Sequence, residues 1–178
     1  NIKIVVIGLI MEDNNLYPLN TSWCLWYHSI EDTSWNKKSY KYLCDITDLY
    51  DLKLVNHIIQ PHHLQNGMFF LMRENIFPTW EDPDNRDGCC VSFKIAGSVL
   101  KEQWDHIISE ILTENIFINS ENIDINYLNG ISIAPKKEFN IIKIWLRNHD
   151  TNYNEILKEY DPYFMKDKAL IKKHELSN

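Results

Sequence analysis

Short runs rich in aromatic and β-branched residues recur along the chain and predict a β-sheet. The runs are separated by polar or turn-forming residues, which is the pattern of successive strands. The predicted strands are Trp23–Tyr27, Tyr40–Ile46, Met68–Met72, Val91–Ile95, Ile131–Ala134 and Ile141–Leu146.

Two other segments repeat their apolar residues at steps of three and four, the period of an amphipathic helix. These segments are Leu49–Ile59 and Leu100–Leu112, and a third helix is predicted near Asn154–Tyr160. The charged tail Lys166–Asn178 shows no clear pattern. This order of elements predicts an α+β fold in which an antiparallel sheet carries helices on one face.

The chain shows no repeat, low-complexity tract or linker, so residues 1–178 are predicted to form a single domain. Within it, residues 1–16 are predicted to be an N-terminal extension and residues 166–178 a mobile tail. The apolar run Ile2–Ile10 has roughly half the length of a membrane-spanning helix, so it predicts a buried or pairing strand. It also lacks a basic leader, which disfavours a secretory signal.

The formal charge of −7 argues against a protein that coats nucleic acid by general phosphate neutralisation, although a site for one nucleotide remains compatible with it. The four cysteines form no CxxC pair and no dense disulfide framework, so reduced thiols in the cytoplasm are expected. No metal site is predicted from His57, His62 and His63, because no convergent cysteine accompanies them.

Five of the six tryptophans fall into two groups. Trp35 lies in a polar turn between two predicted strands, and Trp80 lies in a loop between two prolines. Large rings on loops above a sheet can act as stacking platforms. The tryptophans assigned to the core are Trp23, Trp26 and Trp104.

Several of these segments resemble the eukaryotic translation initiation factor 4E family, whose members bind the 5′ cap of messenger RNA. The segment Tyr17–Tyr27 looks like the opening strand of that family, and Pro78–Asp82 looks like its second cap-stacking loop. The similarity runs from about Tyr17 to Trp145, and its other matching positions are Trp35, Asn56-His57-Ile58, Asn85, Gly130 and Ile144-Trp145.

The resemblance implies a single curved antiparallel sheet with about three helices on its convex face and a cap pocket on its concave side. In that pocket, Trp35 and Trp80 would sandwich the 7-methylguanine base, whose positive charge is attracted to aromatic faces. Glu81 would accept two hydrogen bonds from the guanine edge, an arrangement that adenine cannot offer. Trp145 would contact the N7 methyl group.

Lys136 and Lys137 follow the predicted strand Ile131–Ala134 and are the candidate ligands of the cap triphosphate. Lys136 stands where the family keeps an arginine, and a lysine provides a point charge without the bidentate fork. The second basic ligand of the family aligns with Ile141, and Cys89-Cys90-Val91 replaces small and basic residues. The candidates to compensate are Lys143, Arg147, Lys166 and Lys168.

The resemblance also implies that a scaffold initiation factor or a repressor binds through a short helix on the convex face. Pro18 and Leu19 are retained there, whereas Leu52 and Asp105 replace a tryptophan and a leucine. A groove near Pro18, Leu19 and Leu52 is expected, because leucine preserves an apolar surface. The alternative is a helix face with no partner.

The function implied is recruitment of capped messenger RNA for translation initiation, without catalysis, cofactor or membrane. One alternative is a repressor that sequesters capped RNA, suggested by Leu52 and Asp105. Another is a small nucleotide hydrolase that uses Glu81 and Asp82, although residues adjacent in sequence rarely converge on one substrate atom.

Overall fold

An open antiparallel β-sheet organises the molecule. The computed structural model describes residues 17–118, 124–150 and 152–175. Within them, seven strands lie in the order β2-β1-β3-β5-β6-β4-β7. Their bounds are β1 Pro18–Ser29, β2 Tyr40–Asp48, β3 Gly67–Arg73, β4 Cys89–Ile95, β5 Leu128–Pro135, β6 Asn140–Leu146 and β7 Leu170–Lys173.

Helices pack on one face of this sheet, as the sequence predicts. The helices of the described residues are α1 Leu49–Ile58, α2 Pro61–Asn66, α3 Leu100–Leu112 and α4 Tyr153–Ile156. Asp48 is the N-cap of α1, and its carboxylate accepts a hydrogen bond from the amide of Asp51. The apolar stripe of α3, which includes Trp104 and Ile108, is buried against the sheet.

Side chains alternate between the two faces of the sheet, which we call the helical face and the open face. On β3, Phe69 and Leu71 join the core beneath the helices, whereas Phe70 and Met72 join a smaller cluster on the open face with Trp145. This alternation separates the structural core from the side chains that can form a site.

Three tryptophans were assigned to the core from the sequence, and two of them occupy it. Trp23 and Trp104 are buried on the helical face. Trp26 is instead half-buried on the open face, where its ring centroid lies 5.1 Å from that of Phe77. The difference arises because Trp26 is an odd number of positions from Trp23 along β1, so its side chain points to the opposite face.

Other differences from the sequence-based elements are local. Helix α2 was not predicted, and its six residues are too few to show a helical period. His62 and His63 therefore lie in a helix, where the ring of His63 accepts a hydrogen bond from the backbone amide of Gln60. The predicted third helix shortens to Tyr153–Ile156. The predicted strand Ile2–Ile10 lies outside the described residues.

The charged tail, for which the sequence shows no clear pattern, pairs with the sheet from Leu170 to Lys173. Strand β7 hydrogen-bonds to β4 in antiparallel register, with Lys172 opposite Cys90. Its charge pattern alone is that of a solvated segment, but the edge of β4 supplies backbone partners that lie far away in sequence.

His174 anchors the end of this tail among the side chains of the open face. Its amide donates to the carbonyl of Gly88 at 3.0 Å, and its Nδ1 lies 2.5 Å from the carbonyl oxygen of Asn85. Its Nε2 lies 3.2 Å from Sγ of Cys90. The imidazole ring stacks on the indole of Trp80, with 5.3 Å between centroids and 16° between planes.

These contacts suit the neutral imidazole. Burial raises the pKa of Cys90 to about 12, so its thiol keeps the proton and can donate it to Nε2 of His174. Burial also lowers the pKa of His174, and the nearby Lys143 adds to that effect, whereas the Asn85 carbonyl and Glu81 oppose it. Nδ1–H can then donate to the Asn85 carbonyl while Nε2 accepts.

We expect the tail to lose stability as the pH falls. Because the folded protein holds His174 with a lowered pKa, its contribution is complete above about pH 6.5, the ordinary histidine value, and is lost as the pH drops through the lowered value. Unfolding free energies measured between about pH 7.5 and 5.5 should fall more steeply for the wild type than for His174→Phe. That variant keeps a ring against Trp80 and cannot titrate. Parallel curves for the two proteins would contradict the assignment.

Candidate functional site

A cavity of about 460 Å³ opens on the open face, a volume suited to a nucleotide-sized ligand. Five of the six residues predicted to contact a cap line this cavity, namely Trp35, Trp80, Glu81, Lys136 and Trp145. Lys137, the sixth, lies in the same β5–β6 turn as Lys136 but is exposed and does not belong to the lining.

Trp35 is carried by the loop between β1 and β2. One face of its indole stacks on the buried ring of His28, with 4.3 Å between centroids and 8° between planes. His28 is held in turn by Ser29, Ser34 and Ser39, whose oxygens lie 2.8–3.0 Å from its ring nitrogens. Because Trp35 is still 57% exposed, the ring is backed on one side and open on the other.

Trp80 is carried by a loop between β3 and β4 that is tied together by side chains. The carboxylate of Asp82 accepts hydrogen bonds from the amides of Phe77 and Asp84. The fully buried Asn85 donates to the carbonyls of Phe77 and Thr79, at 3.0 and 2.9 Å. These bonds hold the loop from inside, so Trp80 stands on a rigid support rather than on a free segment.

Elements that are distant in sequence also hold this loop. Asn129 on β5 donates to the carbonyl of Asp84 and to the side chain of Asn85. Arg147 forms a salt bridge with Asp84. Behind the indole of Trp80 lies His174, and the ammonium of Lys172 lies 5.0 Å from the ring centroid.

Trp145 forms part of the cavity floor. It is only 4% exposed, and its Nε1–H donates to Oγ of Ser132 at 2.9 Å. Its partner on β5 in the strand register is Gly130, where an added Cβ would collide with the side chain of Met72 and the carbonyl of Leu71. A residue without a side chain is therefore required beside Trp145.

The charges of the site are separated. Glu81 is exposed at the Trp80 side, and none of the hydrogen bonds among the described residues uses its carboxylate. Lys136 and Lys143 line the β5–β6 side. Such a cavity suits a ligand with hydrogen-bond donors at one end and anionic groups at the other.

The structure distinguishes the four candidates for the missing phosphate ligand. Lys143 lines the cavity. Arg147 is paired with Asp84, Lys168 donates to the carbonyl of Pro162, and Lys166 lies beside a small crevice on the helical face. Lys143 is therefore the cation that the fold brings to the site.

Asp82 is not placed for acid or base catalysis together with Glu81. Its carboxylate is engaged with two amides of its own loop and does not line the cavity. This geometry does not favour the hydrolase alternative. Among the described residues, no group of three potential ligand side chains could hold a metal ion. No helix of that part of the chain is long and apolar enough to cross a membrane.

The helical face departs from the groove predicted from the sequence. Pro18 is exposed and Leu19 is half-buried, but Leu52 is 5% exposed and belongs to the core. Leu52 lies on the buried stripe of α1 with Val55 and therefore offers almost no exposed surface to a partner. The outer side of α1 instead exposes three apolar residues at helical spacing, Tyr50, Leu54 and Ile58.

The sequence of the chain is similar to that of known proteins. The model of the eukaryotic initiation factor 4E family matches residues 18–172. The eukaryotic translation initiation factor 4E of Saccharomyces cerevisiae is 26% identical over 144 residues, which are 75% of this chain and 63% of the relative. A homologue from Acanthamoeba polyphaga mimivirus is 28% identical over 111 residues, 54% of this chain and 40% of the relative. The chain thus spans less than two thirds of either relative.

Solved structures show the same fold. The complex of Caenorhabditis elegans eIF4E-3 with the 4E-binding protein Mextli and cap analog has a TM-score of 0.65 and 20% identity, covering 75% of this chain and 76% of that one. Schistosome eIF4E complexed with m7GpppA and 4E-BP has a TM-score of 0.66 and 16% identity, covering 76% and 74%. This likeness confirms the predicted curved sheet with helices on one face. With a family model that matches most of its length, the chain belongs to the eukaryotic initiation factor 4E family.

Proposed function

We propose that this chain binds the 7-methylguanosine cap of messenger RNA and recruits capped messages for translation initiation. The observation that carries the proposal is the convergence of Trp35 with Trp80 and Glu81 on one cavity, although the loop of Trp35 is far in sequence from the loop that holds the other two. Related structures support it, since the complex of Ascaris suum eIF4E-3 with the m7G cap shares the fold at a TM-score of 0.65.

The base is sandwiched between Trp35 and Trp80. A cation over an aromatic face gains about 0.5 to 2 kcal/mol, and tryptophan is the best aromatic partner. Methylation at N7 makes guanine cationic, so the two rings favour the methylated base over the plain one. Because His28 and His174 support the far faces of the two indoles, little freedom is lost when the base enters.

Glu81 reads the base edge and Trp145 contacts the methyl group. The carboxylate of Glu81 accepts from the N1 and N2 donors of guanine in a charge-assisted pair. The buried indole of Trp145 provides an apolar floor, held in orientation by Ser132.

The triphosphate extends toward Lys136 and Lys143, with Lys137 contributing from the edge of the same turn. Cys90 is a neutral thiol beneath this region, so it supplies no charge to the phosphates. The lysines on β6 and in the β5–β6 turn therefore carry the anion binding, each as a point charge.

Glu81→Gln tests base recognition. The amide keeps the shape of the side chain but offers one acceptor in place of two, so the affinity for m7GTP should fall about ten- to a hundredfold. Titration followed by tryptophan fluorescence measures it. Glu102→Gln, a change on the exposed side of α3, is the matched control and should bind as the wild type does. Equal wild-type affinities for m7GTP and GTP would refute the cap assignment.

Lys143→Ala tests the phosphate site. Affinity for m7GTP should fall roughly tenfold, the scale of one hydrogen bond to a charged group, while affinity for the 7-methylguanosine nucleoside stays unchanged. Lys143→Arg should retain most of the m7GTP affinity, and Lys53→Ala on α1 serves as a control. An equal loss for nucleoside and triphosphate would assign Lys143 to the base pocket or to folding instead.

The apolar stripe Tyr50, Leu54 and Ile58 is the surface proposed for a scaffold factor or a repressor helix. These side chains are 63%, 43% and 42% exposed on one side of α1. Apolar residues at this spacing can pack against an amphipathic helix. Structures with the same fold hold 4E-binding proteins, which supports a partner of this class. The alternative, a repressor that sequesters capped RNA, would bind the cap without retaining a scaffold.

Leu54→Asp should abolish binding of a helical peptide from a 4E-binding protein, because it places a charge in the centre of the apolar stripe. Isothermal titration with the peptide measures the loss, and m7GTP affinity should not change. Lys53→Asp, at an exposed neighbouring position, controls for charge. Unchanged peptide binding by Leu54→Asp would place the partner elsewhere.

A further inference from the structure

The open face continues beyond the cavity at the end where β6 begins. Phe139 stands there, in the turn between β5 and β6, and its carbonyl accepts the amide of Lys136 at 2.8 Å. The ring of Phe139 is half-buried. The ammonium of Lys94, an exposed residue of β4, lies 5.0 Å from the centroid of this ring.

Strand register places this pair on the same face as the cavity. Along β6, residues two apart share a face, so Trp145, Lys143, Ile141 and Phe139 form one row. In the register between β4 and β6, Ser92 lies opposite Lys143 and Ile141 lies opposite Lys94. Lys94 and Lys143 are therefore diagonal neighbours across the two strands, a spacing of about 7–8 Å. The row leads from the cavity floor past the phosphate lysines to Phe139.

The charge of this corner is opposite to that of the whole chain. The formal charge is −7, yet Lys94, Lys136, Lys137 and Lys143 gather around the β5–β6 turn, where Glu138 is the acidic residue. A cation beside an available aromatic ring is the combination that binds single-stranded nucleic acid, since the ring stacks a base and the cation meets a phosphate.

We propose that Phe139 and Lys94 form a subsite for the first transcribed nucleotide of the capped RNA. The inference rests on the proposed cap function, because the triphosphate that Lys136 and Lys143 hold leads to that nucleotide. The base stacks on Phe139 and displaces the ammonium of Lys94, which then contacts the phosphate on the 3′ side of the same nucleotide. Stacking accepts any base, so the subsite adds affinity without adding sequence preference.

Affinities for three ligands test the two contacts of this subsite separately: m7GTP, the dinucleotide m7GpppA and the trinucleotide m7GpppApG. The wild type should bind the dinucleotide about fivefold or more tightly than m7GTP, the scale of one stacked base. Phe139→Ala should lose this gain and bind m7GTP unchanged. Lys94→Ala should lose affinity mainly for the trinucleotide, with a shallower dependence on salt, because one phosphate contact is removed.

Conservative variants distinguish loss of the aromatic face or the charge from loss of side-chain volume. Phe139→Leu retains apolar volume without an aromatic face, so it should also lose the gain in affinity for the dinucleotide. Lys94→Arg should keep the affinity for the trinucleotide. The control variant Lys53→Ala should behave as the wild type. The inference is overturned if the wild type gains nothing from the added nucleotides, or if Phe139→Ala weakens m7GTP to the same extent, which would mark the ring as a support of the turn. Failure of the wild type to bind m7GTP would instead overturn the cap function itself.

Discussion

The proposed stacking site needs aromatic rings that are held on one face and bare on the other, and much of the described structure meets this requirement. An indole that is free on both faces collapses onto its neighbours or moves, and an indole packed on both faces accepts no ligand. Here His28 covers one face of Trp35 and His174 covers one face of Trp80. Both imidazoles are themselves buried and hydrogen-bonded, so the support is rigid.

The support of Trp80 links distant parts of the chain. Asn85 holds the loop from within, and its carbonyl and side chain also meet His174 and Asn129. The tail, β5 and the loop thus share one network, and a change in any of them reaches the same indole. The short strand β7 is part of the site for this reason, although it is carried on the outer edge of the sheet.

Charge is distributed to match a ligand with two unlike ends. The acidic Glu81 stands beside one indole, and the cations stand on β6 and the turn before it. In the segment Cys89-Cys90-Val91, burial keeps the thiol of Cys90 neutral and able to donate a hydrogen bond to His174. Lys143, on the neighbouring strand β6, brings a positive charge to the cavity.

The local sequence pattern was sufficient to predict many of the elements and candidate residues of this protein. The helix Leu100–Leu112 has its predicted bounds, and α1 ends one residue before its predicted end, because an apolar stripe at helical period is a property of a short segment. The candidates Trp35, Trp80 and Glu81 could be named from the sequence, since rings on polar loops and a family motif are visible there. Strand β1 runs beyond its predicted ends, to Pro18 and Ser29, because pairing with two neighbours extends it.

Other features depend on contacts between residues far apart in sequence. The pairing of β7 with β4 and the burial of His174 arise from an edge that the tail sequence does not reveal. The choice of Lys143 over Arg147, Lys166 and Lys168 depends on which of them lines the cavity and which lie elsewhere or are paired. The sequence by itself determined six of the seven described strands and the two long helices, and it indicated the class of ligand, because period and composition act locally. Only the tertiary structure decided which side chains back the rings, carry the charge and leave the helix surface for the core, because burial and pairing are set by neighbours across the fold.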